Sequence, residues 1–336
     1  MCQAQSGRTF MAPFRIAFSD WAYGTQPAVE RIMRLLSSRR DVLRTNPAEA
    51  DLLIYSDFGE SHWGFEGLKV YVTGENMLPD FDQCDLAYSP LETPGDLRTV
   101  RFPYYAQVLP ALGTLVRTSD YDAKPHLARE GFGCFVASNP RGPERNRFFR
   151  ALHRRRALVS AGRHFNNTGK PLADKMTFLR GFRFNVAFEN TSSAGYVTEK
   201  LVEPLLAGTI PIYWGAPDVG RDFNPGCMID VSRFASDREA IDHILAIEDD
   251  PAARLAILSA SPFRENREPD CLSDEYLVGP LLGLIDGAAK PGRRRYRHRT
   301  LREHAYASPL QQTLISLRCR LDGLTWRISQ AIKRSA

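Results

Sequence analysis

The 336-residue chain has no apolar run near the ~18–20 residues that a spanning helix requires, which excludes an integral helical membrane protein. It has no paired cysteines. The six, at positions 2, 84, 134, 227, 271 and 319, lie far apart with no Cys-x-x-Cys, so reduced thiols are expected in place of a disulfide framework. It has no metal signature: His62, His153 and His164 lack ligand spacing, and no Asp-x-Asp pair ends an expected strand. The opening MCQAQSGRTFMAPF carries no apolar core, which predicts an untargeted, cytoplasmic chain. No internal repeat is visible. At 43% hydrophobic and 25% charged residues, wholesale disorder is excluded as well. Two domains are expected, at roughly 150 residues each.

Charge is present but uneven. Lys plus Arg is 44 against 39 for Asp plus Glu, a net +5. Arg293, Arg294, Arg295, Arg297 and Arg299 crowd one stretch, and further basic residues follow to the end. There Leu310, Leu314, Leu317, Leu321, Leu324 and Ile328 recur at alternating intervals of four and three, the stripe of an amphipathic helix. Such a tail fits an anionic membrane surface, a helix folded back on its own domain, or a short coiled coil. No nucleic-acid-binding motif accompanies the charge, so nucleic acid is not expected as a partner.

Strand and helix patterns alternate. Short apolar segments at 14–18, 51–56, 68–73 and 85–89 read as strands, with a helix over 27–38. A second series follows a Pro- and Gly-bearing stretch. It places strands at 132–138, 157–160, 182–188 and 209–214, and helices at 144–156, 173–181, 198–208, 238–248 and 251–261. Near-continuous apolar strands suit parallel sheets covered on both faces. The expected architecture is α/β, two doubly wound domains: residues 1–130, then 131–288, then the basic amphipathic tail 289–336. Ligands of such sheets bind beyond the carboxyl ends of the strands. That directs attention to 19–21, 74–76, 139–145 and 189–200.

The densest chemistry is FENTSSAGYVTEK, 188–200. It runs from a strand end through a small-residue loop into a helix start, with Thr198 as expected N-cap. A helix N-terminus suits a phosphate, and Lys200 in the first turn, against the dipole's preference, hints at a ligand anion. The plain alternative is a solvated loop and an ordinary helix start. Pro204 stands inside the helix, so the helix either bends there or begins later.

The run over 181–231, with FEN-x(5)-YVTEK, then IPIYWGAP, then DFNP, closely resembles glycosyltransferase family 10, which contains the α1,3/α1,4-fucosyltransferases. VYVTGEN (70–76), PDFD (79–82), RFPYY (101–105) and FVASNPRGPERNRFF (135–149) resemble family segments in the same order. The resemblance implies a GT-B fold, two Rossmann-like domains facing a cleft. It also implies inverting transfer of L-fucose from GDP-fucose to a glycan hydroxyl, with donor on the second half and acceptor on the first, and no metal or other cofactor. Arg145 and Lys200 match family positions implicated in diphosphate binding. Asn190, Tyr196 and Glu199 match donor-site residues. Glu75 matches the proposed general base. Glu189 is expected either at the site or as a structural carboxylate bonding backbone N–H groups. Asp20, Asp57 and Glu60 are weaker competitors for the base, on neighbouring strand ends.

On this reading the chain adds fucose, in α1,3 linkage to a GlcNAc- or Glc-type sugar, to an oligosaccharide or lipid-linked surface glycan, such as a lipopolysaccharide. It works in the cytoplasm, or peripherally on the inner membrane face through its tail. The alternatives are a related inverting transferase with another nucleotide sugar and a non-catalytic nucleotide- or glycan-binding relative.

Overall fold

The structure, a computed structural model, describes residues 12–21, 26–93 and 95–287. The basic tail expected over 289–336 lies outside the described residues.

Two parallel sheets organise the chain. The first contains β1 (Phe14–Ser19), β2 (Val42–Arg44), β3 (Leu52–Tyr55), β4 (Leu68–Val72), β5 (Leu86–Ser89) and β6 (Thr99–Arg101). Their spatial order is β2-β1-β3-β4-β5-β6, every pairing parallel. The second contains β7 (Gly131–Phe135), β8 (Val159–Ser160), β9 (Phe182–Phe188), β10 (Ile210–Trp214) and β11 (Ile229–Asp230), in the order β11-β10-β9-β7-β8, again all parallel. In each sheet the first strand sits between the second and the third. The winding direction reverses there, between β1 and β3 and between β7 and β9, and a crevice opens beyond the strand ends at such a reversal.

The sequence explains which strands are evident. LLIY in β3 and LKVYV in β4 are buried along their whole length, as a parallel sheet covered on both faces requires. Even Lys69 of β4 is buried, its Nζ donating to the His62 carbonyl at 2.9 Å. β2 and β6 escaped the periodicity reading. Each is three residues long, and β2, at the sheet edge, is partly exposed, so neither carries an apolar run.

The helices are α1 (Gln26–Ser37), α2 (Tyr104–Val108), α3 (Pro143–Arg155), α4 (Lys175–Leu179), α5 (Glu199–Ala207), α6 (Asp237–Asp249), α7 (Pro251–Ser259) and α8 (Asp274–Asp286). The helix expected over 173–181 is shorter, α4 alone, capped by Asp174, which accepts from the Thr177 N–H at 2.7 Å. α5 starts where its cap residue predicts and runs on through Pro204 to Gly208, whose φ of +66° closes it in the left-handed region. A later start is therefore excluded. α8 is continuous in sequence with the second series yet packs on α1, β5 and β6. Its Leu277, Val278 and Leu281 share a core with Ile16, Leu36 and Val70, and Tyr88 O–H donates to the Leu277 carbonyl at 2.6 Å. That core also includes Val197, Leu201 and Phe223, so apolar packing is continuous between the two sheets.

Candidate functional site

A cavity of about 990 Å³ opens beyond the carboxyl ends of β7, β8 and β9, at the reversal point of the second sheet. Its wall is formed by 136–139 after β7, by 161–172 after β8, and by Asn190, Glu199 and Lys200 after β9. Arg145, Arg163, Lys170, Lys175 and Lys200 bring cationic groups to it, against the single carboxylate of Glu199. A concave site with that charge balance suits an anionic ligand.

Arg145 sits in the first turn of α3, behind Gly142, whose φ is +132°. The residue is 2% exposed. Nη1 donates to Asn190 Oδ1 at 2.6 Å, and Nη2 to the carbonyls of Asn139 and Arg141 at 2.5 and 2.6 Å. Nε is buried with no partner among the described residues. Burial pulls the guanidinium below its ordinary pKa, with Glu189 acting against the shift. One side chain thus ties the β7 loop to the β9 loop and keeps N–H groups in reserve.

Glu189 directly follows β9 and is fully buried. Its two oxygens accept from the Thr198 N–H at 2.8 Å and the Thr198 hydroxyl at 2.7 Å, and Lys200 Nζ lies 3.4 Å away. This is the structural carboxylate of the sequence reading, absorbing free donors at the α5 N-terminus. Thr198 caps α5 as expected, Oγ1 accepting from the Lys200 N–H at 3.3 Å. Burial works against the charge on Lys200, but Glu189 and Glu199 outweigh it and raise the ammonium above its ordinary pKa. Glu199 Oε1 stands 3.4 Å from the same ammonium. Burial would raise the Glu199 carboxyl; Lys200 and Lys175 hold it below the ordinary range.

Arg145, Asn190, Glu199 and Lys200 therefore meet at one cavity. Tyr196 and Glu75 are not on its wall. Tyr196 is buried, its phenol pushed well above the ordinary range by burial and by Glu189, Glu75 and Glu199. Glu75 comes from the first sheet, in the turn after β4, with an exposed side chain. The surrounding protein, Asp57 and Glu199 raise its pKa, while Lys200 acts in the opposite sense. Tyr104, at the start of α2, feels Glu199, Glu75 and Lys200, and its ring packs on Gly74 so closely that a Cβ there would lie 2.3 Å from it. Glu75 of the first half is thus near enough to Lys200 and Glu199 of the second for their charges to bear on it.

The weaker base candidates are engaged elsewhere. Asp20, with φ +61°, accepts from the N–H groups of Ser61 and His62, each at 3.0 Å, and contacts His62 Nδ1 at 2.7 Å. That network fills the reversal point of the first sheet. Asp57 accepts from the Tyr71 and Thr73 hydroxyls, the latter at 2.5 Å. Glu60 is an exposed residue preceding a short 3-10 turn.

Sequence reasoning missed Arg163, Lys170, Lys175 and Tyr104. Arg163 and Lys170 lie in a segment with no periodicity, and Lys175 opens α4, where nothing marks it as facing a cavity. Tyr104 had one available signal, its place in RFPYY. Among the described residues, no group of three His, Cys, Asp or Glu is placed to hold a metal ion.

Comparison with known proteins follows the same two halves. The model of the α-(1,3)-fucosyltransferase FucT N-terminal domain matches residues 16–108. The C-terminal model of glycosyltransferase family 10 (fucosyltransferase) matches residues 127–256. The α-(1,3)-fucosyltransferase FucT of Helicobacter pylori is 32% identical over 289 residues, 74% of this chain and 60% of that protein. A putative fucosyltransferase-like protein of Arabidopsis thaliana is 35% identical over 108 residues, 32% of this chain and 18% of that protein. The chain thus spans less than two thirds of the length of these curated relatives. A crystal structure of an α1,3-fucosyltransferase with GDP-fucose is similar at a TM-score of 0.70 and 27% identity, over 86% of this chain and 95% of that one. One model matches the sheet that carries Glu75, and the other the sheet that carries Arg145 and Lys200; the chain belongs to glycosyltransferase family 10.

Proposed function

We propose that the protein transfers L-fucose from GDP-fucose to a hydroxyl of a glycan acceptor, with inversion at the anomeric carbon. The observation that carries this reading is the cavity with five basic side chains on its wall, with Glu75 of the other sheet near enough to feel the charge of Lys200. The solved relative contains GDP-fucose.

The residues divide the chemistry as follows. Arg145 and Lys200 bear the negative charge that develops on the departing diphosphate. Asn190 and Glu199, both on the cavity wall, orient the donor; Tyr196, buried and off that wall, is given no contact with it. Glu75 takes the proton of the acceptor hydroxyl as its oxygen attacks the fucose anomeric carbon. The bond from that carbon to the diphosphate oxygen breaks, and GDP leaves with the electron pair. Attack from the side of Glu75, with the leaving group on the side of Lys200, inverts the centre. No metal is needed for this division of labour. The acceptor is proposed to be a GlcNAc- or Glc-type sugar of a surface glycan, joined in α1,3 linkage. The tail 289–336 is proposed to hold the protein peripherally on an anionic cytoplasmic membrane face.

Calorimetric titration with GDP-fucose, using GDP-mannose as matched control, tests the donor. Selective binding of GDP-fucose, followed by transfer to GlcNAc- or galactose-containing acceptors, is the expected result. Equal binding of both sugars, or no transfer, would overturn the reading. Flotation of the full chain and of a chain ending at residue 290 with anionic vesicles tests the tail, and equal flotation would exclude it as an anchor.

A further inference from the structure

The turn that carries Glu75 is fixed at both of its ends. Toward its own sheet, Thr73 Oγ1 accepts from the Glu75 N–H at 3.0 Å and donates to Asp57 Oδ2 at 2.5 Å. The Met77 N–H donates to the Glu75 carbonyl at 2.9 Å, which keeps the turn tight. On the other side, Asn76 reaches out of the first sheet. Its Nδ2 donates to Thr191 Oγ1 at 2.7 Å and to Ser193 Oγ at 2.9 Å. Both hydroxyls belong to the loop between β9 and α5.

That loop is a firm anchor. Asn190 at its start accepts from Arg145 at 2.6 Å. The Gly195 N–H near its end donates to Asp218 Oδ1 at 2.7 Å. Gly195 has φ +81° and leaves no room for a Cβ, which would lie 2.4 Å from the Pro90 carbonyl oxygen. A continuous path of hydrogen bonds and short backbone steps therefore joins Glu75, Asn76, Thr191, Asn190 and Arg145.

We infer that Asn76 is a positioning residue, which fixes Glu75 relative to the cavity by fastening the Glu75 turn to the loop that forms the cavity wall. The inference rests on the proposed transfer reaction for its catalytic consequence. A general base acts only within hydrogen-bond reach of the proton it removes, and a displacement of about 1 Å costs on the order of 100-fold in rate. The two sheets carry base and donor separately, so a direct link between them controls that distance.

The test uses the full chain with three variants: N76L, near in shape but without polar atoms; T191V/S193A, which removes both hydroxyls; and the three substitutions combined. Hydrogen exchange, with and without GDP, reads the link directly and independently of turnover. In the unaltered protein GDP should slow exchange in both 190–195 and 73–77. In N76L and in T191V/S193A the protection should persist at 190–195 and be lost at 73–77. Kinetically, each variant should lose about 10- to 100-fold in kcat, with donor KM and GDP binding stoichiometry within about twofold. The combined variant should be no worse than either alone, because all remove one link. Protection at 73–77 that survives in N76L, or that is absent in the unaltered protein, would overturn the inference, as would additive kinetic losses. An unaltered protein that binds GDP but transfers no fucose would overturn the proposed reaction, while the exchange data would still decide the link.

Discussion

Arg101 at the end of β6 and Asp222 in the second half of the chain form a buried ion pair between the two sheets. Nη1 meets Oδ1 at 3.1 Å, and Nη2 also donates to the carboxylate. The two residues are 3% and 5% exposed. Tyr105 O–H adds a bond to Oδ2 at 2.9 Å, and Cys271 Sγ accepts from Arg101 at 3.4 Å. Burial opposes the charge on Arg101; Asp222 outweighs it and raises the guanidinium above its ordinary pKa. The carboxylate thus joins β6 and the start of α2, and Arg101 extends the network to Cys271 in the segment before α8.

A buried pair adds little net stability, but removing one partner leaves the other charge stranded, at a cost of about 3–5 kcal/mol. Asp222→Ala should lose about that much in urea unfolding. Arg101→Met with Asp222→Leu should lose clearly less than Asp222→Ala alone. Equal losses would show that the charges themselves are not what matters.

Glu75→Gln should lower transfer by at least ~100-fold while GDP binding stays within about twofold, since Glu75 stands off the cavity wall. Retained transfer would exclude Glu75 as the base.

The pH profile gives a sharper check of the same carboxylate. The surrounding protein and Asp57 raise the Glu75 pKa, against the pull of Lys200, so its active, ionised form is reached at a higher pH than for a free glutamate. The acidic limb of kcat/KM should lie correspondingly high. Asp57→Asn removes a like charge, and the limb should move to lower pH. A shift to higher pH, or none, would contradict this.

Lys200→Met should weaken GDP binding by ~10-fold or more, as one charge-assisted contact is lost. It also strips the buried Glu189 carboxylate of its neighbouring ammonium, 3.4 Å away. Adding Glu189→Gln to Lys200→Met should recover part of the lost thermal stability and none of the lost affinity.

Asp20 is held below the ordinary aspartate pKa: burial would raise it, but the bonds from His62 and Ser61 prevail. A lowered folded-state value means the carboxylate stabilises the fold above the unfolded-state pKa and stops doing so as pH falls through the folded-state one. Asp20→Asn should therefore cost about 1–3 kcal/mol near neutrality. The gap from the unaltered protein should narrow below about pH 4. A gap that widens on acidification would refute the assignment.

Local rules carried much of this into the sequence. β9 spans the expected 182–188, because seven alternating and apolar residues follow a glycine. Thr198 and Gly208 cap α5 because side-chain acceptors and left-handed glycines suit helix ends. Glu189, Asn190, Glu199 and Lys200 fall within one short segment, so a strand end and a helix start bring them together without any distant contact. Arg163, Lys170 and Lys175 gave no such signal, since a basic residue in an aperiodic loop or at a helix start looks the same whether it faces solvent or a cavity.

By itself the sequence determined the α/β alternation, the strand ends that matter and the residue types at the β9–α5 junction, because caps, turns and apolar periodicity act over a few neighbours. The tertiary structure decided which distant groups meet: α8 against the first sheet, Arg101 with Asp222, Asn76 with Thr191 and Ser193, and Glu75 within the electrostatic reach of Lys200. Those pairings depend on how two sheets pack across a shared core, and single polar residues more than a hundred positions apart leave no local pattern to read.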